Sequence, residues 1–78
     1  MSKKVNFSIA NNWDEFPMYK IPRLKWRKKI IGGGYVTRVK GKRWTVRLND
    51  FPDEPLYTLI VGGDEILHFD DWPTEWIK

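Results

Sequence analysis

Hydrophobic and polar positions alternate in three places along the chain. Between residues 4 and 10, Val5, Phe7 and Ile9 are separated by Asn6 and Ser8, the two-residue period of a strand with one buried face, which predicts a first strand there. The pattern returns in "YVTRVKGKRWTVRL", residues 35–48, where Tyr35, Thr37 and Val39 share one face and Trp44, Val46 and Leu48 share one face of the strand that follows. A two-residue turn within residues 40–42, with Gly41 free to take positive φ, puts both rows on one side. That side is a core face. Its opposite carries Val36, Arg38, Arg43, Thr45 and Arg47, with Lys40 and Lys42 at the turn.

A second hairpin is predicted from "LYTLIVGGDEILHF", with Gly62, Gly63 and Asp64 in the turn. Plain alternation places Tyr57, Leu59, Val61 and Ile66 on one face and Leu56, Ile60, Leu67 and Phe69 on the other, so both faces are apolar. Elsewhere the pattern is broken. Asn12 and Glu15 have the spacing of a helix-capping pair, but Pro17 leaves room for about one turn. Residues 22–31 read two ways: as a strand with Leu24, Trp26 and Ile30 on one face, or as a helix opened by Pro22 and closed by Gly32, with Lys28 and Lys29 at its C-terminal end. "NDFPDEP" is a turn, and "DDWPTEWIK" offers Asp70 or Asp71 and then Pro73 as the start of one helical turn carrying Trp76. These elements predict a single domain over residues 1–78, mainly β. Its expected form is a small antiparallel bent sheet or half-open barrel of about five strands with at most one or two short helical turns. The alternative is α+β with a helix near residues 22–31.

Composition narrows the function. At 78 residues the core must be simple, and 41 % hydrophobic with 15 % aromatic residues is globular composition. With no cysteine there is no disulfide, thiolate metal site or thiol nucleophile, and the reducing cytoplasm is the expected compartment. No apolar run approaches a signal peptide or the roughly 20 residues of a membrane span, so no membrane partner is expected. The net charge of +4 conceals an asymmetry: residues 1–48 hold thirteen Lys and Arg against two acids, and residues 49–78 hold Lys78 against eight. Such a charge dipole points either to an anionic partner or to neutralisation between the two halves of the fold.

Little here suggests catalysis. His68 is the single histidine, and the serines, Ser2 and Ser8, lack nucleophile-elbow glycines. His68 with Asp70, Asp64 or Glu65 sketches a weak metal site, but three converging ligands are the usual minimum, and a half-buried histidine facing Tyr57 is the plainer reading. "IIGGGY" lacks the Walker lysine and hydroxyl residue, and its glycines suit a sharp bend between strands. No cofactor is expected.

Two surfaces remain. The cations Lys28, Lys29, Arg38, Lys40, Lys42, Arg43 and Arg47 suit phosphate contacts that position a strand without reading its sequence, so the favoured function is a non-enzymatic module binding single-stranded nucleic acid or RNA. Against this, Trp26, Tyr35 and Trp44 fall on apolar faces, as core residues rather than stacking platforms. The alternative is a protein-interaction or accessory module using Asp70, Asp71, Trp72 and Trp76 on a basic or proline-rich peptide. Trp76 also suits a place in the core. Self-association through opposite-charge surfaces is a further possibility.

Overall fold

The computed structural model describes residues 3–78. Five antiparallel strands form one open sheet in sequence order: β1 (Arg27–Lys28), β2 (Tyr35–Val39), β3 (Lys42–Leu48), β4 (Tyr57–Val61) and β5 (Asp64–Phe69). The sheet does not close, and among the described residues the helical content is two single 3₁₀ turns, Trp13–Glu15 and Pro17–Tyr19. No helix among the described residues is long and apolar enough to cross a membrane. The fold is therefore mainly β, as the alternation requires.

The β2–β3 hairpin follows its sequence closely. Lys40 and Gly41 both take positive φ (51° and 81°), the two-residue turn whose twist matches that of the strands it joins. The resulting register pairs Tyr35 with Val46 and Thr37 with Trp44 on one face, and Val36 with Thr45 and Arg38 with Arg43 on the other. Trp44 and Val46 are buried, with Leu59, Leu67 and Phe69 from β4 and β5, and Trp26 and Trp76 from outside those strands.

One face of the sheet is roofed by irregular chain rather than by a second sheet. Trp13, Phe16, Tyr19, Ile21, Leu24 and Trp72 pack against the core, and the aromatic rings meet edge to face: Trp13–Trp76 at 5.4 Å, Tyr19–Trp44 at 5.3 Å, Trp72–Trp76 at 5.3 Å. This geometry is the one favoured by ring quadrupoles. Backbone bonds hold the roof in place. Ile77 N–H donates to Leu24 O and Trp26 N–H to Ile77 O, both 2.8 Å, as a parallel bridge between Lys25 and Ile77. The indole N–H of Trp76 donates to Tyr19 O at 3.0 Å.

Three expectations are corrected. Residues 4–10 are not a strand, because Asn6 folds them into a turn: its side-chain oxygen accepts from Ser8 N–H (2.8 Å) and its carbonyl from Ile9 N–H (3.0 Å). The alternative of a helix over residues 22–31 falls and the strand reading holds there, as the two-residue β1; Arg23 is left-handed (φ 61°) and Trp26 is bonded to Ile77. The second hairpin is shifted by one residue beyond a bulge. Leu59 pairs with Leu67 while Ile60 pairs with Glu65, which leaves Ile66 unpaired. That single extra residue brings Leu67 and Phe69 onto the core face with Tyr57 and sends His68 to the other, where Glu65, on the turn side of the bulge, already stands opposite Ile60.

Candidate functional site

The face away from the aromatic core has two halves. Over β4 and β5 it is covered by the N-terminal segment. His68, fully buried, donates from Nε2 to Val5 O at 2.7 Å, and its Nδ1 is hydrogen-bonded to the Thr58 hydroxyl at 2.6 Å. Phe7 lies on the imidazole with ring centroids 4.5 Å apart. Thr58 in turn accepts from Asn49 Nδ2 at 2.7 Å. Both nitrogens of His68 are therefore engaged within the fold, opposite Thr58 rather than Tyr57, and no three of the metal-ligating side chains among the described residues converge.

Arg47 belongs to this covered half. Its Nε donates to Asn49 Oδ1 and its Nη1 to Glu65 Oε2, both at 3.0 Å, and the same Glu65 carboxylate accepts Val5 N–H at 3.0 Å. Burial pushes the Glu65 carboxyl up, but the Val5 N–H, the hydrogen bond and charge of Arg47, and His68 outweigh it, and the group is held below the usual carboxylate range. Arg47 is thus committed to the fold. Its role is to fasten β3 to β5.

Over β1, β2 and β3 the same face is bare. Arg27 pairs with Val36 and Arg38 with Arg43, so three arginines surround one valine, and with Thr37 they line an open concavity of about 440 Å³. Arg38 and Arg43 are directly opposite each other, an arrangement that destabilises a sheet unless something offsets it. No carboxylate among the described residues lies within ion-pairing distance of either. Among the described residues the one pairing of a Lys or Arg with a carboxylate is Arg47–Glu65, so the expected neutralisation between the basic and acidic halves occurs at that point alone.

The remaining candidates separate. Lys28 pairs with Tyr35, a register position on the aromatic side, and Lys29 follows it out of β1; at the edge of the sheet both border a second concavity of about 440 Å³ that shares Arg27, Val36 and Arg43 with the first. Lys42 pairs with Val39 on the aromatic side, and with Lys40 it borders a different hollow that includes Tyr19 and Trp44. Arg27, in the basic cluster of residues 25–29, joins the hairpin arginines through its pairing with Val36, a register that a two-residue strand does not show in sequence. Of the acidic C-terminal group, Trp76 is 4 % exposed and Trp72 packs between Tyr35 and Tyr57 at 5.0 and 5.7 Å, so the two rings belong to the core and not to an open groove. Asp70 spends its carboxylate on Leu56 N–H and on Asn11 Nδ2, both at 3.0 Å, and Asp71 is exposed. No protein-family model matches the chain, and neither a curated protein nor a solved structure matches it.

Proposed function

We propose that this protein is a non-enzymatic module that binds an unpaired nucleic-acid strand, RNA or single-stranded DNA, through the bare half of its sheet. Arg27, Arg38 and Arg43 contact phosphates, and Lys28 and Lys29 extend the track. The observation that carries this reading is the Arg38–Arg43 cross-strand pair, which has no carboxylate within ion-pairing distance. A fold that places like charges opposite each other gives up stability, and a bound polyanion recovers it. Arginine also suits phosphate through its planar fork of donors. The cysteine-free sequence accords with a cytoplasmic site of action.

Fluorescence anisotropy with a labelled oligouridylate tests the proposal. With three to five phosphate contacts, log affinity falls with log salt at a slope of roughly −2 to −3.5. Arg43→Glu weakens binding strongly, whereas Lys42→Glu, one residue along but on the other face, weakens it little. Equal losses in the two variants would reduce the effect to net charge, and absence of binding at about 50 mM salt would end the proposal.

A further inference from the structure

The loop between β1 and β2 holds the two most exposed large apolar side chains among the described residues, Ile30 at 100 % and Ile31 at 85 %. Consecutive isoleucines in full contact with water contribute nothing to the core, and an exposed apolar pair beside a charged groove marks a contact surface. The loop is held in place. Lys29 N–H donates to Gly34 O at 2.9 Å, closing it at its base. Gly34 has φ +80° and lies so close to β3 that a Cβ would collide with the Val46 carbonyl oxygen.

Ile30 and Ile31 line the concavity that also contains Arg27, Val36 and Arg43, so their side chains border the groove that the arginines occupy. Whatever fills both hollows is anionic along one side and apolar along the other. A single nucleic-acid strand has this character, with phosphates on one edge and flat base faces on the other, and in a duplex those faces are hidden in the stack. Aromatic side chains usually receive the bases, but here the tryptophans lie on the far face or in its roof. We infer that Ile30 and Ile31 form the base-contacting wall of the proposed site, against which unpaired bases lie while the phosphates cross Arg27, Arg38 and Arg43. This inference rests on the nucleic-acid reading above. An anionic bilayer would also offer charge beside apolar matter, but the isoleucines share one concavity with Arg27, Val36 and Arg43, a groove suited to a strand rather than to a flat surface.

The test compares three probes of equal length on the full chain: an oligothymidylate, an abasic strand with the same phosphates, and a duplex; vesicles containing phosphatidylserine serve as a fourth. The expected result is that the base-bearing strand binds about tenfold tighter than the abasic one, with the duplex weaker still. Ile30→Ser combined with Ile31→Ser should bring the two single strands to equal affinity without altering the salt slope or the melting temperature. Equal affinity of the parent protein for both single strands, still dependent on Arg43, would overturn the inference and leave the phosphate reading intact. Failure to bind any oligonucleotide would overturn both. Isoleucine-dependent binding to vesicles in place of strands would assign the loop to a membrane and overturn both as well.

Discussion

Replacing Arg43 with glutamate turns the like-charged pair opposite Arg38 into an attractive one, and the same change that weakens the proposed binding should stabilise the protein. The geometry favours a measurable effect. Arg43 O accepts from Gly62 N–H on the β4 side at 3.0 Å, so Arg38–Arg43 is a pair without hydrogen bonds between its own residues, the kind in which side chains stand closest. With charges about 6 Å apart in water the Coulomb term is about 0.7 kcal/mol. Reversing its sign, less the ordering of two long side chains, gives a swing of about 1 kcal/mol. For a domain of this length the melting temperature should rise by about 5 °C. Arg43→Gln, which only removes the repulsion, should give about half of that. Thermal melts followed by circular dichroism at about 50 mM and about 1 M salt separate this from a packing effect, since the screening length at the higher salt is about 3 Å and the gain should vanish. A melting temperature that stays level or falls at low salt, or a gain that survives at high salt, would refute the view that the pair is an uncompensated repulsion.

Two further outcomes follow from the core and from the covered half of the sheet. Trp44→Ala removes a buried indole and should cost about 3 to 5 kcal/mol, about half of the middle of the roughly 4 to 12 kcal/mol expected for this length, so the variant should lose much of its near-ultraviolet dichroism and melt far below the parent, while Arg43→Ala melts within a few degrees of it. Glu65, whose carboxyl is held below its ordinary value in the fold, contributes stability that is present above the unfolded value of about 4.3 and is lost as pH falls through the lower folded one; urea midpoints should therefore show Glu65→Gln less stable than the parent at neutral pH, with the gap narrowing in acid, and a constant gap would count against the assignment.

Where alternation ran unbroken into a turn with a defined conformation, residue patterns alone located the strands and their facing. Trp44 and Val46 are buried and Arg38 and Arg43 point away because Lys40 and Gly41 permit no other register. Beyond that hairpin local pattern failed for identifiable reasons. Ile66 carries no mark that distinguishes a bulged residue from its neighbours, yet it reverses the facing of Leu67, His68 and Phe69. Val5, Phe7 and Ile9 alternate like a strand, but Asn6 satisfies the backbone locally and competes with the ladder. The bare surface was half visible: Arg38 and Arg43 were readable from the hairpin, whereas Arg27 joins them through a two-residue strand too short to show a period. Arg47 shares their face and, with Arg43, a strand. What separates it is Glu65, eighteen residues away, which pairing with Ile60 across the β4–β5 hairpin places on the same face.

The covering of β5 by the N-terminal segment also bears on how the sheet meets other chains. An open sheet has two margins with unpaired backbone groups, and each is a template on which a foreign strand can add. At β5 the template is partly taken: Glu65 N–H donates to Lys3 O and His68 O accepts from Asn11 N–H, both at 2.8 Å. At the other margin β1 is only two residues long, both of them cationic, and the chain on either side is diverted, by the bridge to Ile77 before it and the glycine loop after it. Neither margin presents a long flat ladder. Growth of the sheet by strand addition, whether into a fibril or onto a peptide partner, is thereby disfavoured, and association with this protein falls to its faces and loops.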